Sequence, residues 1–249
     1  MNGGIASKTL AAPASPEREA DLEAERVAAA RASRGTSGDP IYQMVLRAIK
    51  DLGLGGHALD FGAGTGTLSR LLCERDAFQS VTAADLVPFP EAQAHPKLRW
   101  LYADLNRSLP CENNRFDVIA AIEVIEHLEN PRAVARECFR LLRPGGILLL
   151  STPNNESWRA LIALLGRGHF VDFGDASYPA HITALVRRDL VRICREAGFE
   201  TPRFVFSDHG TLPKLTRFTW QKLSRGRLRG LRYSNNLLCI ARKPEPTTA

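Results

Sequence analysis

Apolar positions recur at two different spacings along this chain of 249 residues. After Asp39-Pro40 they fall at Ile41, Met44, Val45, Ala48 and Ile49, the three-and-four rhythm of one helix face, and glycines at 53, 55 and 56 stop the pattern. From residue 57 the rhythm changes. Short apolar runs at 57–61, 79–85, 97–104, 116–122 and 147–151 read as strands. The stretch 131–143 between the last two carries a helical stripe of Val134, Cys138, Leu141 and Leu142. Strands alternating with helices predict a parallel sheet covered by helices on both faces, an α/β fold. Ligands of such sheets lie beyond the carboxyl ends of the strands, and Asp60, Asp85, Asp104 and Glu123 all fall at or near those ends.

The flanks differ. Residues 1–38 are rich in Ala, Gly, Ser, Pro, Glu and Arg, with few large apolar side chains, and read as a mobile arm or a marginal helix over 16–34. Residues 39–249 then form one domain, with a lid segment at 153–186 and a basic excursion at 207–234. A hydrophobic content of 44% suffices for a core, and no apolar run approaches the ~20 residues of a membrane span. Five scattered cysteines without a Cys-x-x-Cys pair, and a start lacking the form of a secretory signal, predict a reduced, cytoplasmic setting. The net charge of +6 mildly favours anionic partners and is too small to imply nucleic acid.

The most informative stretch is 58–72, which runs from strand through a glycine loop into a helix. Glycines permit the tight turn and the close approach of backbone to a ligand. A dinucleotide loop would read Gly-x-Gly-x-x-Gly. Here Gly62, Gly64 and Gly66 are spaced Gly-x-Gly-x-Gly, and Asp60 lies just before them, where a carboxylate repels a pyrophosphate but suits an ammonium group. A nicotinamide enzyme is thereby disfavoured.

Five motifs in order carry a resemblance: Asp60-Phe61-Gly62-Ala63-Gly64-Thr65-Gly66; Asp85-Leu86; Tyr102-Ala103-Asp104-Leu105; the strand 116–122; and Leu141-Leu142-Arg143-Pro144-Gly145-Gly146. Together they resemble the class I S-adenosylmethionine-dependent methyltransferases, over about 41–243. The resemblance implies a Rossmann-like sheet of seven mostly parallel strands, the last inserted antiparallel, with 199–206 and 237–242 as the final pair. It implies that Asp85 grips the ribose hydroxyls, that Asp104 lies beside the adenine amino group, and that Asp60, Gly62, Ala63, Gly64, Gly66, Leu86 and Leu105 complete the cofactor site. Backbone amides of 62–66 would hold the methionine part.

The segment Glu123-Val124-Ile125-Glu126-His127, if helical, puts Glu123, Glu126 and His127 on one face. Two carboxylates and an imidazole suit a divalent cation, with His181 as the fourth ligand. This pattern resembles the ubiquinone-pathway O-methyltransferases, where Ser151-Thr152-Pro153-Asn154 also finds a counterpart, and the small-RNA 3′-terminal 2′-O-methyltransferases. In both, the resemblance implies a metal that orients or acidifies a hydroxyl, and Mg²⁺, Mn²⁺, Fe²⁺ and Zn²⁺ all remain open. Without a metal, Glu123, His127 and His181 are the catalytic candidates, one histidine acting as base.

In the lid, Trp158, Leu161, Ile162, Leu164 and Leu165 suggest an amphipathic helix, and the aromatics of 166–175 close either over core or over substrate. Lys214, Arg217, Lys222, Arg225, Arg227, Arg229 and Arg232 lie in an acid-free run with Phe218 and Trp220. It reads as a solvated excursion, as an RNA-stacking surface, or as a peripheral contact with lipid headgroups. The expected activity is O-methylation of a small-molecule hydroxyl. Terminal methylation of RNA and a non-catalytic, cofactor-binding partner subunit are the alternatives.

Overall fold

The computed structural model describes residues 16–33, 35–89 and 94–246. Its elements in chain order are α1 (Pro16–Ala32), α2 (Asp39–Asp51), β1 (Gly56–Phe61), α3 (Thr67–Cys73), β2 (Phe78–Asp85), β3 (Leu98–Tyr102) and β4 (Phe116–Ile122). There follow α4 (Pro131–Leu141), β5 (Leu142–Pro153), α5 (Trp158–Arg167), α6 (Arg187–Ala197), β6 (Arg203–Phe206), a hairpin of β7 (Thr211–Leu212) and β8 (Leu215–Thr219), α7 (Trp220–Leu223) and β9 (Asn236–Arg242).

Seven strands form one sheet in the order β3-β2-β1-β4-β5-β9-β6. All neighbours are parallel except β9, which runs antiparallel between β5 and β6. The alternation of side chains along each strand divides the core in two. Leu59, Phe61, Ile119, Leu148 and Leu150 face α4 and α6, meeting Val134, Cys138, Leu141, Leu190 and Cys194. Ala58, Val118, Leu149 and Ile240 face α2 and α3, meeting Met44, Val45, Ile49, Leu68 and Leu72. The helical stripe read at 41–49 is therefore one wall of the second core. Chain order reverses between β1 and β4, so a crevice opens at the carboxyl ends of those two strands.

Local chemistry explains most element ends. The Asn130 side chain accepts a hydrogen bond from the Ala133 amide, and Pro131 supplies a preset first helical residue to α4. Asp117 at the start of β4 has a structural role, accepting from the His57 amide at 2.7 Å and pairing with Arg143 at 2.9 Å.

Two expectations need correction, and a third is narrowed. The fifth strand begins at Leu142 rather than 147, and pairing passes through an irregularity before Val118 meets Ile147. The segment 123–127 is not one helix: only Ile125–His127 forms a 3₁₀ turn, and Glu123 stands outside it at φ 52° in the left-handed region. The arm expected over 1–38 lies outside the described residues before 16. Its described part is a helix, α1, held against the domain by ion pairs: Arg26 meets Asp104 at 2.7 Å and Glu129 at 2.6 Å. The sequence offered α1 no apolar stripe to announce that docking.

Candidate active site

A cleft of about 400 Å³ opens at the switch point. Its floor is the glycine loop and the ends of β1, β2 and β4; its roof is α1 together with the 178–182 segment. Of the residues expected to hold a cofactor, Asp60, Gly62, Ala63, Gly64, Asp85, Leu86, Asp104 and Leu105 all line it. Gly66 does not. It caps α3 at φ 79°, where a side chain would run into the Trp100 indole.

Gly64 shows why the loop must be glycine. Its φ is 53°, and the chain leaving α1 crosses so close that an added Cβ would collide with the Gly35 carbonyl. That same carbonyl accepts the Thr65 amide at 2.8 Å. The other loop amides are also spent: those of Gly62 and Ala63 on the Ala84 carbonyl, that of Gly66 on Ala63, and that of Gly64 on Asp85 at 2.7 Å. The loop therefore offers a ligand closeness rather than free donors, which corrects the expectation that its amides would hold the methionine part.

Three carboxylates stand around the loop in different states. Asp60 is buried and accepts from the Ser69 hydroxyl at 2.6 Å; burial pushes its pKa up to about 7. Asp85 is raised too, again by burial, against the backbone hydrogen bonds it receives from Gly64 and Val87. Asp104 is tied down on both oxygens, by the Asn106 amide at 2.9 Å and by Arg26 at 2.7 Å. Cofactor fit rests on these features: a cradle that any Cβ would fill, and acceptors that keep lone pairs for hydroxyl and amino donors.

The opposite wall is assembled from distant segments. His127 donates its Nδ1 hydrogen to the Ala180 carbonyl at 2.6 Å, and His181 does the same to the Asp172 carbonyl at 2.6 Å. A carbonyl can only accept, so each ring carries its proton on Nδ1 and leaves Nε2 as a lone-pair donor to a ligand. The rings meet edge to face, 4.8 Å between centroids, and Phe173 packs on His181 at 5.4 Å. Burial lowers the His127 pKa, favouring the neutral ring.

Behind them Glu126 is fully buried, and among the described residues neither carboxylate oxygen makes a hydrogen bond of good geometry; the Thr152 hydroxyl, also without one, lies near enough to favour the charged form of Glu126 weakly. Burial first, then the Glu123 charge, pushes the Glu126 pKa well above the usual carboxylate range. One potential ligand atom from each of Glu126, His127 and His181 lies within 4.8 Å of the others. Glu123, expected as one of the four ligands, is not in this group. Its oxygens accept from the Ser151 hydroxyl at 2.7 Å and the Asn236 amide at 2.8 Å, and burial raises its pKa. It lines the cleft beside the triad without belonging to it.

Sequence reasoning missed Arg26, Ser151 and Asn236 as parts of the site. For Arg26 one signal existed: Leu22, Arg26, Ala29, Ala30 and Ser33 share a helix face, and all five line the cleft. For Asn236 none did, since it reaches Glu123 only because β9 is inserted beside β5.

Known proteins agree with this geometry. A family model described as a methyltransferase domain matches residues 38–202. A ubiquinone biosynthesis O-methyltransferase of Psychrobacter arcticus is 29% identical over 177 residues, covering 66% of this chain and 67% of that protein. Its counterpart in Pseudomonas aeruginosa is 30% identical over 168 residues, covering 64% and 71%. Among solved structures, the 1,6-didemethyltoxoflavin-N1-methyltransferase of Burkholderia thailandensis, with bound 1,6-didemethyltoxoflavin and S-adenosylhomocysteine, aligns with TM-score 0.60 at 20% identity, covering 98% of this chain and 99% of that one. The cyclase SpnF aligns with TM-score 0.58 at 19% identity over 82% and 81%. At such identity these structures speak for the fold, and a cyclase on it shows that fold alone does not decide the reaction. The family match over most of the domain, joined to a glycine cradle flanked by carboxylates at three strand ends, decides it: the chain belongs to the class I S-adenosylmethionine-dependent methyltransferases.

Proposed function

We propose that this enzyme methylates a hydroxyl oxygen of a small molecule with the help of a divalent cation held by Glu126, His127 and His181. The observation that supports this reading most is the buried, unpartnered Glu126 carboxylate facing two histidines whose Nδ1 atoms are already committed. A buried carboxylate without a partner is costly, and a cation supplies the missing partner. The carbonyls of Ala180 and Asp172 fix the ring orientations in the manner expected of histidines that ligate metal. Three protein ligands of mixed nitrogen and oxygen type leave positions open for acceptor oxygens. The curated relatives named as O-methyltransferases point to the same acceptor atom.

Each group of the chain then has a role. Gly62, Ala63, Gly64, Leu86 and Leu105 shape the cofactor's bed, Asp85 takes hydroxyls, Asp104 takes an amino group, and Asp60 faces the ammonium end. The cofactor supplies a methyl already activated on a sulfonium, so the protein's task is alignment and removal of the acceptor's proton. A bound cation lowers the hydroxyl pKa. Glu123, locked by Ser151 and Asn236 with its backbone in the left-handed region, sets the wall between the two halves, the kind of strained position that clusters at functional sites.

The test is chelation. Protein stripped with a chelator should lose turnover on catechol-type acceptors and regain it with Mg²⁺, Mn²⁺, Fe²⁺ or Zn²⁺, while S-adenosylhomocysteine still raises its melting temperature. Full turnover without metal would leave His127 as a general base and refute the cation.

A further inference from the structure

We propose that Asp60 reads the charge of the cofactor: it stands as the neutral acid in the empty cleft, gives its proton to solvent when the cationic cofactor enters, and so holds the sulfonium form more tightly than the spent thioether. This rests on the cofactor assignment of the cleft and not on a cation at Glu126. It extends the reaction to the exchange of product for fresh cofactor.

The cleft is short of positive charge. Glu25, Asp60, Asp85, Asp104, Glu123 and Glu129 line it, and among the described residues Arg26 is the one Lys or Arg side chain that does. Arg26 is committed at the roof, to Asp104 at 2.7 Å and to Glu129 at 2.6 Å. On the floor, Asp60 and Asp85 sit on the adjacent strands β1 and β2, and among the described residues neither forms an ion pair.

Asp60 is the less compensated of the two. Asp85 receives the Gly64 amide at 2.7 Å and the Val87 amide at 3.3 Å. The other loop amides, which could have served Asp60, go to the carbonyls of Gly35, Ala63 and Ala84. Asp60, 2% exposed, keeps the Ser69 hydroxyl at 2.6 Å and, more weakly, the Ser69 amide. The titratable groups around it are Asp85, Cys73 of α3, Tyr42 of α2 and Glu123 past the end of β4, and its partner in register on β4 is Ala120. None of these is a cation. A buried carboxylate in such company is held as the neutral acid. Burial first, then the Ser69 hydroxyl against it and the Asp85 charge with it, sets the Asp60 pKa at about 7.

The sulfonium and ammonium groups of S-adenosylmethionine outnumber its carboxylate, so the cofactor brings the positive charge that the floor lacks. Ionised Asp60 is then favoured. In methyl transfer the C–S bond breaks with its electron pair left on sulfur, a bond to the acceptor forms, and the acceptor's proton leaves. The product, S-adenosylhomocysteine, has no net charge. It favours the ionised carboxylate less, Asp60 takes up a proton from solvent more readily, and the product is let go. A unit charge within a few ångströms shifts such equilibria by about tenfold or more in a protein interior. Asp85, which meets ribose hydroxyls, sees the same donors in both ligands, so the difference between the two ligands isolates the charge.

The experiment is isothermal titration calorimetry of the full, metal-stripped chain with S-adenosylmethionine and with S-adenosylhomocysteine, in buffers of different ionisation enthalpy. Near pH ~6 the cofactor should release about one proton more than Asp60→Asn releases, and the product clearly less. The affinity ratio of cofactor to product should grow about tenfold as pH rises from ~5.5 to ~7.5. In Asp60→Asn that ratio should be flat. Ser69→Ala keeps the carboxyl but removes a hydrogen bond that favours its charged form, so the proton release should move to higher pH, a shift that a merely structural Asp60 would not show. Tight binding of both ligands without proton release, or the same release from wild type and Asp60→Asn, overturns the proposal alone. Binding of neither ligand by wild type overturns the cofactor assignment, and the proposal with it.

Discussion

The two walls of the cleft are built on opposite principles. On the cofactor side, among the described residues, the amides of 62–66 are satisfied by carbonyls and Asp85, and Asp104 is held by Asn106 and Arg26, so only acceptor lone pairs are left for a ligand. On the acceptor side, Glu126 is buried with neither oxygen partnered, and two histidines leave Nε2 uncommitted. A satisfied wall is rigid before its ligand arrives and recognises it by shape. An unsatisfied wall stores a cost that a ligand relieves. The contrast separates a part of the site made for the family's cofactor from the part in which the proposed cation would supply Glu126 with its partner.

The largest effect should come from filling the rigid wall. Gly64→Val places a branched side chain at φ 53° against the Gly35 carbonyl. It should cost about 3 kcal/mol or more of stability. The melting-temperature shift with S-adenosylhomocysteine should vanish; a variant that keeps the shift would show that the loop tolerates a Cβ and that the crossing chain yields.

Next is Glu126→Gln, which sharpens the contrast most. Removing a buried unpaired carboxylate should leave the metal-free protein as stable as wild type or more so. Turnover should fall about a hundredfold, and the stabilisation by divalent cations that the wild type is expected to show in thermal melts should be absent. A destabilised apoprotein that still responds to cations would mean that Glu126 already has its partner.

Asp60 gives a pH signature within the rigid wall. Its pKa is about 7 in the native state and 3.8 as a free side chain. Between those values the native protein holds a proton that the unfolded chain has released, so this group's contribution to stability falls as pH rises through that window. Chemical denaturation across the window should show wild type losing stability relative to Asp60→Asn. A parallel pH profile for the two would place the titration elsewhere.

The smallest effect is expected at the roof. Arg26→Ala removes hydrogen-bonded pairs to Asp104 and Glu129. Arg26 and Asp104 keep only 14% and 15% of their side chains exposed while Glu129 keeps 42%, so stability should fall by about 1–2 kcal/mol. Affinity for S-adenosylhomocysteine, measured by calorimetry, should fall about tenfold if Arg26 holds Asp104 in its binding position; unchanged affinity would make α1 an ornament of the cleft.

The contrast also explains what the sequence disclosed. The cofactor wall is written locally: a strand, three glycines and an acid at each strand end, so Asp60, Asp85 and Asp104 could be placed before any coordinates. The acceptor wall joins residues across the chain. Glu126, His127 and His181 were recognisable as ligand types. The exclusion of Glu123 was not, because it follows from a left-handed residue that breaks the expected helix and from Asn236 on a strand inserted late. α1 was legible as a helix over 16–34, but its docking was not, because the charge pairs of Arg26 that hold it to the domain leave no periodic trace in hydrophobicity.

The most direct test of the two-wall account is anomalous diffraction from crystals grown with S-adenosylhomocysteine and Mn²⁺. The account predicts a single anomalous peak within ~2.3 Å of a Glu126 oxygen and of both Nε2 atoms of His127 and His181, with the product nucleoside against Asp85 and Asp104. Ordered S-adenosylhomocysteine with no peak between those three side chains would contradict it.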